Sequence, residues 1–343
     1  MTTPSEHGRA RAPFVFAKLS PVIPSEVYDT YWRFACERQA IFFRRIQEPL
    51  GQWTKDPILA TYKFTNAYRA SDRVSQFLIR RVIYEGDQAP REVFFRTLLF
   101  KLFNRIDTWS LLVRAFGGVS FREFRFERYD ELLSRTMAGG DRLYSAAYIM
   151  PAATGYPGPR KHSTHLRLLE RMILDEVPER LAECRFMRDA FAMLRSYPMM
   201  GDFLAYQYVT DMNYSDVTAF EEMEFVVPGP GARDGIRKCF RSLGGLAEAD
   251  VIRLVAERQE LEFERLGLVF NSLWGRRLQL IDCQNVFCEV DKYARLAHPD
   301  ILGLSGRTRI KQTYSPTLDP ISYWYPPKWG LNERIEREGP RTA

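Results

Sequence analysis

SYPMMGDFLAYQYVTDMNYS, residues 196–215, decides how this chain is read. RDAFAMLR before it ends one helix, Pro198 and Gly201 make a tight turn, and an amphipathic helix follows from DFLAYQYV. This is the layout of a helix-hairpin-helix, in which hairpin N–H groups and the second helix's N-terminus hold a DNA phosphate. An ordinary αα-hairpin has the same outline. On either reading, this part of the chain is helical.

Helical spacing extends outward from that stretch. Tyr28, Tyr31, Trp32, Ala35 and Phe42 recur at helical intervals from Glu26 to Gln47, and a second helix is expected over Leu59 to Tyr84. VFFRTLLFKLF (93–103) is apolar nearly all round and predicts a buried helix. Further helices are expected at 107–116, 123–137, 164–174, 178–195, 203–212, 246–266 and 283–296. Period-two alternation is scarce; Glu224 to Val227 and Arg277 to Ile281 are the best strand candidates. The fold class is therefore mostly α with few short strands. Residues 1–24 read as a flexible leader, 25–300 as one helical domain with room for two lobes and a cleft, and 301–343 as a basic, aromatic tail laid over it.

The chain has 343 residues, is 45% hydrophobic and carries a net charge of +6, and 40 of its 49 basic residues are arginine. That balance suits a phosphate-rich partner, since guanidinium groups fork onto phosphate oxygens; an ordinary mixed-charge surface is the plain alternative. No apolar run is long enough to span a membrane, and the polar N-terminus is no secretory signal. Cys36, Cys184, Cys239, Cys283 and Cys288 are scattered without metal-ligand spacing, which fits free thiols in a cytoplasm. His162 and His165 sit in a polar loop without nearby cysteines, so no metal site is expected.

Three polar constellations stand out. In YKFTNAYRASDRVSQFLI (62–79), helical spacing puts Asn66, Arg69, Asp72, Arg73 and Gln76 on neighbouring faces, as a solvated surface or as a wall of donors facing a base or phosphate. The hairpin is the second. In LQLIDCQNVFCEVDKYAR (278–295), Asp282, Asn285, Glu289 and Lys292 share a face, either as an N-cap with a surface ion pair or as a buried cluster supporting a site. A fourth segment, EMEFVVPGPGARDG (222–235), lacks the lysine and glycine spacing of a phosphate loop. Its Gly229, Gly231 and Gly235 miss the dinucleotide fingerprint by one residue, and no G-x-S-x-G elbow occurs anywhere.

Four blocks, WTKDPILATYKFTNAYRASDRVSQFLI, DFLAYQYVTDMNYS, EFVVPGPGARDG and DCQNVFCEVDKYAR, occur in that order. Together they resemble the α-glutamyl/putrescinyl-thymine pyrophosphorylase clades and the helical domain associated with 5-hydroxymethyl-deoxyuridine DNA kinases. The resemblance covers about residues 25–300. It implies a link to hypermodified pyrimidines in phage DNA and a distant kinship with helix-hairpin-helix DNA glycosylases, some members resembling antiphage glycosylases of sugar-bearing hydroxymethylcytosine. The family hairpin would fall on Tyr197–Gly201, with Met199 where the first glycine stands, and Asp202 and Phe203 follow where bifunctional glycosylases carry a lysine. The glycosylase expected from the comparison is thus monofunctional, without iron–sulfur cluster or other cofactor. Its carboxylate lies about twenty residues past the hairpin, and counting twenty from Gly201 gives Glu221, with Glu222 and Glu224 close by.

The leading expectation is therefore a monofunctional glycosylase that flips a modified base from double-stranded phage DNA and leaves an abasic site. A carboxylate among Glu224, Glu222 and Asp211 would stabilise the oxocarbenium-like sugar. Asn66, Arg69, Asp72 and Gln76 would read the base, Tyr206 or Phe225 would stack on it, and the Asp282–Glu289 face would admit a bulky substituent. Phosphate contacts are expected at Gly201, Arg73, Arg233, Lys292, Arg309 and Lys311. The alternative is a pyrophosphorylase-type transferase adding an amine or amino acid to activated 5-hydroxymethyluracil in DNA. A non-catalytic module binding modified DNA is the third reading.

Overall fold

A computed structural model describes residues 20–146, 150–316, 321 and 323–339. Most of the expected leader, residues 1–19, lies outside the described residues. Helix α1 (Glu26–Gln47) has the expected bounds, capped by the Ser25 hydroxyl on the Val27 N–H, and its predicted stripe is buried. Helix α2 (Pro57–Thr61) begins at the Asp56 cap and stops after five residues.

The long helix expected from Leu59 to Tyr84 does not form. Residues 62–68 are extended, a single 3₁₀ turn covers Arg69–Ser71, α3 runs over Arg73–Phe77, and a π-helical turn, Leu78–Ile83, follows directly. The cause is competition for backbone donors. Glu289 accepts the Thr65 N–H at 3.0 Å, Asp72 the Asn66 N–H at 2.8 Å, and Asp282 the Arg69 N–H at 2.9 Å. Buried carboxylates thus take N–H groups that helix would direct to carbonyls four residues back. Arg96 closes the π-turn by donating to the Val82 and Ile83 carbonyls at 2.8 and 3.0 Å.

Helix α4 (Pro90–Phe103) is buried from Glu92 onward, as its all-round apolar sequence predicts. It is followed by α5 (Ile106–Phe116), α6 (Phe126–Ala138) and α7 (Lys161–Leu174). His162 and His165 belong to α7 rather than to a loop and are fully buried, hydrogen-bonded to Ser134 and to Tyr144 and the Pro151 carbonyl. The stretch 178–195 divides into α8 (Val177–Glu183) and α9 (Met187–Arg195). Helix α10 (Asp202–Met212) packs back on α9, so the hairpin exists. Met199 adopts φ +63° at the position of the missing glycine, so the left-handed turn survives the substitution.

In the EMEFVVPGPGARDG segment Gly229 is the N-cap of α11 (Pro230–Cys239), with Pro230 at its first position. Its glycines serve packing. A Cβ on Gly231 would stand 2.4 Å from Cys288 Sγ, and one on Gly235 only 2.0 Å from the Phe287 carbonyl oxygen. That close approach lets α11 lie against α13 (Leu280–Ala297). Between them in sequence is α12 (Glu248–Arg265), and α14 (Leu331–Glu338) closes the described chain. Neither strand candidate forms a strand: 224–227 and 277–279 are irregular, and Leu280 and Ile281 begin α13. The one sheet among the described residues pairs β1 (Ile23–Pro24) with β2 (Phe240–Ser242), antiparallel. Around α13 gather α1, α11 and α12, while α4 collects α5, α7, α8 and α10, and one apolar core joins both groups. No helix of the described residues is long and apolar enough to cross a membrane.

Candidate active site

The loop 62–72, held to α13 as above, presents its polar residues in two opposite directions. Arg69 turns inward. It donates to Asp211 at 2.7 Å, Gln207 at 3.2 Å and the Tyr214 hydroxyl at 2.9 Å, and Lys101 pairs with the same Asp211 at 3.2 Å. Burial alone would raise the Asp211 pKa, but Arg69 and Lys101 together hold it below the usual carboxylate range. Asp211 is fully enclosed, so it anchors α10 and has no route to a sugar.

Asp72 turns the other way and lines a cleft of about 810 Å³, within the range of small-ligand sites. Arg38 and Arg45 of α1, Lys63, Arg73 of α3, and Arg80 and Arg81 of the π-turn line it too, and among the described residues Asp72 is the one acid that does. Arg81 is shared with Glu85. Burial pushes the Asp72 carboxyl up to about 7, against the pull of the Asn66 N–H, Arg38 and Arg69. Cations from α1, the loop, α3 and the π-turn thus share the cleft with this acid.

The remaining wall comes from the C-terminal segment. Lys63 donates its N–H to the Gln312 carbonyl at 3.0 Å and Tyr314 donates to that of Thr61 at 2.8 Å, which lays Tyr314 across the cleft. Further on, the Trp324 N–H reaches Gln76 Oε1 at 2.7 Å and the Tyr325 hydroxyl meets Ser71 at 2.9 Å.

Asn66, Asp72, Arg73 and Gln76 from the sequence reading come together here. The two amides are engaged in shaping the loop, Asn66 donating to the Ser71 carbonyl at 2.7 Å and Gln76 to that of Ala70 at 2.8 Å. Arg69, Tyr206, Phe225, Asp282 and Glu289 do not line the cleft. Tyr206 packs on Phe225 beneath the hairpin, burial raises Asp282 to about 6, and Glu289 pairs with Lys292 at 2.7 Å. The acids of the EMEF segment lie elsewhere: Glu222 is paired with Arg276 at 2.7 Å and Glu224 with Arg188 at 2.9 Å. Gly201, Arg73, Arg233, Arg309 and Lys311 are exposed. Sequence reading missed Arg38, Arg45, Lys63, Arg80, Arg81 and Tyr314. One signal for the first two was present, because Arg38, Phe42 and Arg45 fall on one face of α1.

The family described as "5-hmdU DNA kinase, helical domain" matches residues 25–303, well over half of the chain. The chain belongs to this family. A 5-hmdU DNA kinase of Bacillus phage SP10 is 27% identical over 314 residues, covering 85% of this chain and 48% of the relative. The chain thus spans about half the length of that relative. No solved structure matches.

These matches confirm the resemblance in the sequence and overturn its leading expectation. A kinase is a transferase, so the hydrolase class falls, together with base excision, abasic sites and the glycosylase role in antiphage defence. The structure supplies a physical reason, since the acids chosen for the sugar, Glu222, Glu224 and Asp211, are each bound to arginine away from the cleft.

Proposed function

We propose that the chain is a transferase acting on the 5-hydroxymethyl group of deoxyuridine in DNA. The reaction that fits best is displacement of pyrophosphate from an activated 5-hydroxymethyluracil by an amine or amino acid. The observation that carries this reading is the cleft, where one acid with a pKa of about 7 stands among guanidinium and ammonium groups.

Such a site suits a polyanionic leaving group, which Arg38, Arg45, Lys63, Arg73 and Arg80 bind through charge-assisted hydrogen bonds. The amine nitrogen attacks the 5-methylene carbon, a C–N bond forms, and the C–O bond breaks with its electron pair leaving on pyrophosphate. Asp72 takes the amine proton. A carboxyl near 7 is half ionised at neutral pH, which suits a general base. The DNA strand runs along the exposed arginine rim, with Arg309 and Lys311 as outer phosphate contacts. The five free thiols fit a reducing cytoplasm. The sequence carries no G-x-x-x-x-G-K-[ST] loop, which favours this step over phosphoryl transfer from a nucleoside triphosphate.

The test is incubation of the protein with duplex DNA bearing a pyrophosphorylated 5-hydroxymethyl-deoxyuridine and a panel of amines and amino acids. The expected outcome is pyrophosphate release with the base retained and heavier by the amine. Base loss, or label gained solely from ATP on the unactivated hydroxyl, overturns the reading.

A further inference from the structure

Beside the cleft lies a smaller cavity of about 240 Å³. Arg38, Arg45, Phe64 and Tyr314 line both. Trp53, Ile41, Leu59 and Tyr62 contribute the larger apolar walls, and no acid among the described residues lines it. Its volume is below the usual range for a whole ligand, so it suits one ring or one side chain. The Arg45 guanidinium lies 4.8 Å from the Trp53 ring centroid and 5.9 Å from that of Tyr314, a flat, cationic and aromatic surround. Two guanidinium groups repel a cationic amine. Arg38 stands on the boundary between the two compartments, its Nη2 donating to the Phe64 carbonyl at 3.4 Å. A neutral planar ring with carbonyl acceptors meets every one of these demands.

We infer that the side cavity seats the ring of the target pyrimidine, turned out of the DNA stack, with its 5-methylene group passing the Arg38–Phe64–Tyr314 boundary into the basic cleft. This deepens the proposed function and rests on the cleft being its site. Trp53 and Tyr314 offer ring faces in place of the stacking forfeited on flipping, and the guanidinium groups of Arg38 and Arg45 lie on the cavity wall to meet the ring carbonyls. The charged substituent then lies among Lys63, Arg73 and Arg80, while the ring meets only the boundary residues Arg38 and Arg45. Tyr314 reaches this place only through the pairing of its strand with Thr61–Lys63.

Ala60 separates the two compartments experimentally, since it lines the side cavity, does not line the cleft, and is exposed on α2. Ala60→Phe fills the cavity and leaves the cleft intact, and Ala60→Leu is a smaller filler should the first variant melt early. The probe is a duplex with 5-hydroxymethyl-deoxyuridine opposite guanine and 2-aminopurine next to it, whose fluorescence rises when the neighbouring base leaves the stack. The wild-type protein should give the rise. Ala60→Phe should lose at least nine-tenths of it while its affinity for unmodified duplex stays within about twofold, and Arg38→Met should weaken it. A rise that persists in Ala60→Phe, or none in the wild type, overturns the inference. Because the readout needs no turnover, a rise without pyrophosphate release would sink the proposed reaction and leave the base site standing.

Discussion

Arg69 and Asp72 stand three residues apart on one loop and belong to opposite kinds of site. Arg69 enters a buried knot with Asp211, Lys101, Gln207 and Tyr214, where cation and carboxylate meet at 2.7 and 3.2 Å. Asp72 faces a cleft where cations outnumber it, and of these Arg81 is paired with Glu85. The knot uses its charges to fix α10 against α4 and the loop. The cleft holds its charges apart, so they remain available to a ligand. Similar residue types thus give structure in one place and a site in the other, and the difference lies in who the neighbours are.

The largest expected effect breaks the cleft side of this comparison. Asp72→Asn should lower transferase turnover roughly 10²- to 10⁴-fold, measured as pyrophosphate release, without loss of the folded state. Next, Arg69→Met should leave Asp211 short of its main partner and destabilise the protein by about 3–5 kcal/mol in urea unfolding. Should Arg69→Met instead leave stability unchanged and abolish DNA binding, the division between knot and cleft fails.

A smaller effect concerns the rim. Replacing Arg309 and Lys311 together with alanine should reduce the slope of log affinity against log salt by about 1.8, at roughly 0.9 for each phosphate that is no longer neutralised. The same pair of changes should scarcely move the melting temperature, as both side chains are exposed.

The finest test uses pH, because the two acids are linked to stability with opposite signs. Asp211 is held below its ordinary pKa, so its contribution is present above about pH 4 and is lost as the pH falls further. Asp72 is raised from 3.8 to about 7, so the folded form keeps its proton longer than the unfolded chain. Its relative stabilisation is present below about pH 4 and is lost as the pH climbs through 7. Activity runs the other way, rising through pH 7 as the carboxylate becomes able to accept a proton. Asp72→Asn should flatten the decline in stability between pH 4 and 7, followed by urea titration. Arg38, Arg69 and Glu289 are the charged groups around Asp72, so Arg38→Met should move the activity limb to higher pH.

The sequence by itself determined a good deal. Period and apolar stripe gave α1 its bounds, the all-round apolar run gave the buried α4, and the ordered blocks gave the family. Asn66, Asp72, Arg73 and Gln76 were legible as a polar group, although the helix expected to carry them does not exist. Tertiary structure alone decided the rest. Backbone donors of loop 62–72 are claimed by carboxylates more than two hundred residues away on α13, so no local pattern reveals that the helix is broken. Gly231 and Gly235 let α11 press on α13, a packing that spacing rules do not contain. The choice between a paired acid and an available one, which separates Glu222 and Asp211 from Asp72, depends on which arginines the fold brings near. Charge is written in the sequence, but its neutralisation is a matter of distance, and the fold sets the distances.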